Sequence, residues 1–214
     1  MSDTSAQQLA DRVKHEFRRR LLEEQLPRIT RCAEQLGETA VWNRPSNNTN
    51  SVGSLILHIA GNTTQWIMVQ FTELCDHRQR DTEFETQSDL SVAELTTRLR
   101  QVYEQACATV DHVSLEQLLA ARTIQGYEET GLSAILHVLE HTSGHAGQIY
   151  AWTKQTTGID LRFYDLEPLF PTQDGEEESI ATVPVRPHRQ PCARFITDPP
   201  AKRPTQNLGH AHGF

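Results

Sequence analysis

The feature that most constrains how this chain can fold is an apolar segment that carries two histidines four residues apart, His141 and His145. The apolar residues around them recur at helical spacing: Leu132, Ile135, Leu139, Ala146, Ile149 and Trp152. In a helix, positions i and i+4 share one face, with Cβ atoms about 6 Å apart. Buried imidazoles without partners are costly, so we expect a helix whose inward face gives both histidines a common partner.

A third histidine, His58, lies in an earlier apolar segment with helical spacing. An imidazole from a facing helix would complete a three-ligand cluster with open positions, which is typical of catalytic metal sites. Spacing alone leaves two interpretations open, a metal site or ordinary hydrogen-bonded core histidines, because ten histidines readily give one such pair by chance. The position of His58 in a second apolar helix favours the metal.

Three further residues are candidates for orienting the metal ligands, because a metal-bound imidazole usually donates its other N–H to a partner. Asn62 lies one turn after the first histidine and either faces the same cavity or serves as a helix-packing amide. Gln148 lies three residues after His145. His137 lies one turn before His141, and each four-residue step rotates about 40°. We therefore expect His137 to lie beside the metal ligands or at the surface. A role in which it replaces one of the three ligands is the weaker alternative.

Four segments have the apolar spacing of helices, and none has the alternating pattern of a strand. The predicted helices cover residues 5–36, 51–75, 91–113 and 131–156, with a short helical stretch at 114–121. Pro27 is expected to kink or split the first helix, and Gly37 to end it. Four helices of about 20 to 30 residues predict an all-α four-helix bundle.

The chain changes character at Glu167. Eight of the ten prolines fall at or after Pro168, and the segment is polar with few aromatic residues. Such a composition cannot bury enough apolar surface to offset the entropy of ordering. We expect one bundle domain over residues 1–166 and a mostly disordered tail over residues 167–214.

Charge and hydropathy exclude several classes of partner. The formal net charge is −8 at pH 7, without a basic stripe, which argues against nucleic acid or an anionic membrane. No apolar run approaches the roughly 18 residues that a membrane span needs, and the polar first ten residues are unlike a signal peptide. Four scattered cysteines without CxxC spacing predict reduced thiols in a cytoplasmic protein.

Three sequence elements resemble the DinB-like superfamily of metal-binding four-helix bundles. Residues 141–149, His-Thr-Ser-Gly-His-Ala-Gly-Gln-Ile, resemble its late His-xxx-His-x-Gly-Gln motif. Residues 51–67 resemble the helix that carries its first histidine. Residues 80–84, Arg-Asp-Thr-Glu-Phe, are similar to a linker motif of one uncharacterised branch. The resemblance covers about residues 8–166 and leaves the tail outside.

The resemblance implies an up-down-down-up bundle in which His58, His141 and His145 bind a divalent ion, commonly zinc or nickel. Some members of this superfamily are thiol-dependent S-transferases that use bacillithiol, mycothiol or glutathione, and one is a maleylpyruvate isomerase. Relatives often dimerise, so the resemblance is compatible with a homodimer.

Two functional hypotheses follow. In the first, the protein is an enzyme of the thiol S-transferase or hydrolase type, and the metal lowers the pKa of a bound thiol or water. Its substrate would be a small-molecule electrophile or a thiol. In the second, the protein is a non-catalytic, stress-associated bundle that the metal stabilises. Fold and metal together leave the chemistry open, and Glu140 points about 100° away from His141 on the helix, so it is not a convincing general base.

Overall fold

The computed structural model describes residues 3–85 and 90–163, and most of these residues are helical. The elements are α1 (Asp3–Arg18), a π-helical segment (Arg19–Gln25), α2 (Leu26–Ala40), α3 (Val52–Thr63), a second π-helical segment (Thr64–Met68), α4 (Val69–Phe71), α5 (Thr82–Glu85), α6 (Val92–Asp111), α7 (Leu115–Leu119), β1 (Ala121–Ile124), β2 (Tyr127–Thr130) and α8 (Gly131–Thr157). Across these described ranges, no helix is both long and apolar enough to cross a membrane. The tail predicted to be disordered, residues 167–214, lies outside the described residues.

The first long helix continues from α1 through the π-helical segment into α2. The split expected at Pro27 is not observed, because the turn before it is wider than an α-turn: the N–H of Leu26 donates to the carbonyl of Leu21, five residues earlier. Gly37 ends the regular helix as predicted, with a φ of 70° that side-chain-bearing residues rarely adopt.

Side-chain caps fix where the later helices begin. Ser51 accepts a hydrogen bond from the backbone N–H of Ser54 at the start of α3, at 3.1 Å. The capping box predicted at Ser91 and Glu94 is present at the start of α6. Thr130 forms a similar box before α8. These caps satisfy backbone N–H groups that have no partner inside the helix, which explains why the local sequence predicted the helix starts well.

A β-hairpin stands between α7 and α8, so the prediction of no strand was wrong for this segment. β1 pairs antiparallel with β2, and Ala121 lies opposite Thr130. The turn residues Gln125 and Gly126 have φ values of 54° and 84°. A two-residue hairpin turn of type I′ needs two such left-handed residues and usually has Asn-Gly or Asp-Gly. The Gln-Gly pair serves the same purpose here without giving the usual signal.

The hairpin packs against the end of the second long helix, which runs from α3 to α4. The guanidinium of Arg122 lies over the ring of Phe71, 4.3 Å from its centroid, and the side-chain amide of Gln125 donates to Gln65 Oε1 at 2.6 Å. The helix ends at Phe71, earlier than the expected end near Cys75, because the next residue is already extended.

Contacts near the helix ends show how α6 lies against the first long helix. The N–H of Val92, at the start of α6, donates to Glu38 Oε2 at 2.8 Å. At the other end of α6, the carbonyl of Asp111 accepts from Lys14 Nζ at 3.2 Å. The start of α6 therefore lies beside the end of the first long helix, and the two helices run in opposite directions.

The start of α8 packs directly on the backbone of α7. A Cβ at Gly131 would lie 2.2 Å from the carbonyl oxygen of Gln117 and 3.0 Å from Cα of Leu118, and backbone atoms cannot swing aside. We expect Gly131→Ala to lower the free energy of unfolding by about 1–3 kcal/mol, the cost of overpacking, in urea denaturation followed by circular dichroism. The control is Gly144→Ala in the same helix, where nothing lies within 4 Å. It should gain about 0.5–1 kcal/mol, and equal stability of the two variants would contradict the packing argument.

Candidate metal centre

Three histidines from two facing helices converge on one point. His58 lies on α3, and His141 and His145 lie on α8. One ring nitrogen from each can be chosen so that all three lie within 4.8 Å of one another, and the Nε2 atoms of His58 and His141 are 3.0 Å apart. Two imidazole nitrogens on one tetrahedral zinc ion lie about 3.3 Å apart, since each Zn–N bond is about 2.0–2.1 Å. The spacing of His58 and His141 is therefore close to what one zinc ion requires, and the widest separation in the cluster, up to 4.8 Å, must shorten when an ion binds.

The polar chemistry of the cluster also fits a metal ion. Three neutral imidazoles can direct three lone pairs toward one point, and an ion accepts all three. A hydrogen bond between two of the rings instead joins the N–H of one to the lone pair of the other and leaves the third ring out. In the described part of the chain, the buried Nδ1 of His141 has no hydrogen-bond partner. Hydrogen bonds within the protein therefore do not fully account for these rings.

A carboxylate that the sequence analysis did not assign to the site, Glu83, fixes the tautomer of His58. Nδ1 of His58 donates to Glu83 Oε2 at 2.9 Å. Because an ionised carboxylate only accepts hydrogen bonds, the proton lies on Nδ1, and Nε2 keeps a lone pair. Carboxylate partners of this kind orient metal-binding histidines and raise their basicity.

Arg78 holds the carboxylate of Glu83 in a bidentate ion pair. Its Nε donates to Glu83 Oε1 at 2.8 Å, and its Nη2 donates to Glu83 Oε2 at 2.9 Å. The side chains are only 7% and 12% exposed. Burial acts to raise the pKa of Glu83, but hydrogen bonds from His58 and Arg78 outweigh it and hold that pKa below its usual value. Glu83 is therefore ionised at neutral pH.

Of the three residues predicted to orient the metal ligands, Gln148 is hydrogen-bonded to a clustered histidine, and Asn62 and His137 lie beside the cluster. Nδ1 of His145 donates to Gln148 Oε1 at 3.1 Å. Asn62 is buried, and its Nδ2 lies 3.3 Å from Nε2 of His137. His137 also stacks on the indole of Trp66, with ring centroids 3.6 Å apart. Gln148 thus contacts one of the three clustered histidines, whereas Asn62 and His137 contact each other beside the cluster.

Burial keeps the imidazoles of His141 and His145 neutral. It is the largest cause that lowers the pKa of His141 to about 3, and the neighbouring imidazoles of His145 and His58 lower it further. Burial likewise lowers the pKa values of His145 and His137. A neutral imidazole is the form that binds a metal, so these rings are in the metal-binding form at neutral pH.

The stability of the metal-free protein should fall as the pH drops from 7.5 to 5. The folded-state pKa of His141, about 3, lies below the unfolded value of roughly 6.5. Between these values the unfolded state binds more protons, so acid favours unfolding, and above about pH 7.5 the effect vanishes. Urea midpoints in the presence of a chelator should therefore decrease toward pH 5. The decrease should be smaller in His141→Gln, and an identical pH dependence of the two proteins would contradict the assignment.

Two more residues shape the surroundings of His58. A Cβ at Gly61 would lie 2.1 Å from Glu83 Oε1, so glycine leaves the space that the carboxylate occupies. The ring of Phe84 lies 4.6 Å from that of His58, centroid to centroid. Glu83 and Phe84 belong to the linker motif that the sequence analysis noted. The hydrogen bond between Glu83 and His58, 25 residues earlier, could not be predicted from the local sequence.

Comparisons with known proteins agree with this architecture. Residues 7–166 match the family described as "Protein of unknown function (DUF1572)". Among solved structures, the chain is similar to a DinB-like protein, YjoA of Bacillus subtilis, with a TM-score of 0.52 and 16% sequence identity. The match covers 68% of this chain and 93% of that chain, and at such identity it shows the fold alone. No curated protein matches the sequence.

Proposed function

We propose that this chain, which belongs to the DUF1572 family of DinB-like proteins, binds one divalent metal ion through His58, His141 and His145 and is a metal-dependent enzyme. The observation that carries the proposal is the convergence of three ring nitrogens within 4.8 Å. Zinc or nickel suits a set of imidazole ligands. Such an ion, when bound, lowers the pKa of a coordinated water or thiol, which suits a hydrolase or a thiol S-transferase.

We infer an up-down-down-up order for the helices that carry this site. The opposite directions of α6 and the first long helix support it. Two contacts support an antiparallel arrangement of α3 and α8: His58 faces His141, whereas Asn62, one turn later on α3, contacts His137, one turn earlier on α8. The hydroxyl of Tyr150 on α8 donates to Gln25 Oε1 at 2.6 Å. Gln25 lies in the first long helix, so α8 packs against that helix too.

The residues around the cluster would keep its ligands in place. Glu83, held by Arg78, fixes the ring of His58, and Gln148 accepts the N–H of His145. His58 is 4% exposed, whereas the other two histidines are only partly buried. Solvent therefore reaches the cluster on the α8 side, which leaves room for the open coordination positions that catalytic sites keep.

Metal content is the direct test of the proposal. The parent is the full-length protein with His210→Ala and His212→Ala, which removes tail histidines that could bind metals adventitiously. After incubation with zinc and dialysis, mass spectrometry should find about one equivalent in the parent. It should find almost none in the same protein with His58→Ala and His145→Ala, although circular dichroism shows intact helices. Equal metal in both proteins, or none in either after zinc or nickel, would refute the site.

Turnover separates the enzyme from the non-catalytic alternative. We favour the enzyme because part of the cluster is open to solvent. Zinc-loaded protein should accelerate a reaction in a screen of electrophiles with low-molecular-weight thiols and of hydrolysable esters, beyond the rate with free zinc. If zinc loading raises the melting temperature but no substrate in the screen turns over, the stabilising role replaces the catalytic one for those classes.

A further inference from the structure

A cavity of about 400 Å³ lies between the start of α3 and the later part of α8. Leu55, Ala151 and Trp152 supply its apolar lining, and Asn48, Asn50 and Gln148 supply amide groups. Its volume falls in the range of small-molecule sites, and its mixture of apolar walls with a few polar groups is also typical of them.

The cavity adjoins the histidine cluster. Leu55 lies one turn before His58 on α3, and Gln148 lies one turn after His145 on α8. Because α3 and α8 are antiparallel, both steps lead from the cluster in the same direction along the bundle. Gln148 connects the histidine cluster and the cavity, because its Oε1 accepts a hydrogen bond from Nδ1 of His145 and its side chain lines the cavity. A molecule in the cavity would therefore lie next to the metal ligands.

The lining selects uncharged molecules. No charged side chain lines the cavity, although the chain carries a net charge of −8. The partly buried indole of Trp152 offers a flat apolar surface to a ring. Within the described residues, the side-chain amides of Asn48 and Asn50 form no hydrogen bonds, so they are available to a polar substituent. A charged group would find no opposite charge there to offset the loss of its hydration.

A larger cleft of about 560 Å³ has a different character. Its lining includes Asp76, Arg78, Glu83 and Arg98. Arg78 and Glu83 are paired with each other and Glu83 with His58, so this cleft has charged walls, and its partly buried carboxylate and guanidinium already have partners. The smaller cavity is therefore the better candidate for an uncharged substrate near the metal centre.

We propose that the 400 Å³ cavity binds an uncharged aromatic or alicyclic substrate with a hydrogen-bonding substituent and holds it beside the three histidines. This inference rests on the proposed function and narrows it. The uncharged lining offers no partner for the carboxylates of a thiol such as glutathione, so in a transferase the cavity holds the organic electrophile.

Two fluorescent probes that share one skeleton test the cavity in full-length protein freed of metal by a chelator. N-phenyl-1-naphthylamine is uncharged, and 8-anilinonaphthalene-1-sulfonate adds a negative charge. We expect saturable binding of the uncharged probe and at least tenfold weaker binding of the sulfonate. Ala151→Trp, a substitution at an exposed cavity position, should weaken the uncharged probe at least tenfold. Leu136→Trp is the control, because it is 52% exposed on the same helix and does not line the cavity.

The results distinguish the cavity from the metal site. No binding of the uncharged probe, equal affinity for both probes, or unchanged binding in a folded Ala151→Trp protein would overturn the cavity proposal. The probe and, after reloading, the zinc content are both measured in the protein with His210→Ala and His212→Ala, so that tail histidines do not contribute. If the uncharged probe binds but zinc does not, the metal proposal fails and the cavity remains. If zinc binds but the probe does not, the cavity proposal fails and the metal site remains.

Discussion

Gly61→Ala is expected to weaken zinc binding by about 10- to 100-fold although it changes none of the three histidines. The added Cβ would occupy the place of Glu83 Oε1, 2.1 Å away, so the carboxylate must move from Nδ1 of His58. Loss of such a partner typically reduces metal affinity by about this factor. Alanine is a better helix former than glycine, so damage to α3 does not provide the explanation. The dissociation constant is measured by competition with a chromophoric chelator.

The matched control for this prediction is Gly147→Ala. Gly147 lies between His145 and Gln148 on α8, but a Cβ there meets nothing within 4 Å. This variant should bind zinc as the wild type does. If Gly61→Ala and Gly147→Ala have the same zinc affinity, Glu83 does not orient His58 and its contact has no role in metal binding.

Arg78→Met is expected to cost about 3 kcal/mol in the free energy of unfolding of the metal-free protein. The substitution leaves the carboxylate of Glu83, which is 12% exposed, without its two hydrogen bonds from the guanidinium. Removing one partner of a buried ion pair typically costs about 3–5 kcal/mol, and the slight exposure of Glu83 favours the lower end. Urea denaturation at pH 7 with a chelator measures the change.

The double variant Arg78→Met/Glu83→Met separates the charge effect from simple loss of packing. Replacing both charges by apolar groups of similar size is often close to neutral, so this protein should be more stable than Arg78→Met alone. A double variant that is less stable than Arg78→Met would mean that the salt bridge is not the source of the cost. Zinc affinity should remain weakened in the double variant, because His58 has lost its carboxylate partner.

Local sequence was informative where the determining contacts are local and the residues have the usual types for that feature. The capping box at Ser91 and Glu94 and the stop at Gly37 involve residues within a few positions of each other, and the structure contains both. Local pattern failed at the hairpin, because the Gln125-Gly126 turn gives a weak signal although its backbone meets the geometric requirement. At Pro27 the expected split is absent because a wider π-helical turn accommodates the missing N–H.

The sequence by itself determined the helices and the face that carries the histidine pair, because helical periodicity and the four-residue spacing of His141 and His145 are properties of one segment. The tertiary structure decided which groups surround those rings. Glu83 reaches His58 across 25 residues, and it fits only because Gly61 leaves space for it. Such a contact depends on how the linker packs against α3, and that packing is set by the tertiary fold rather than by any local pattern.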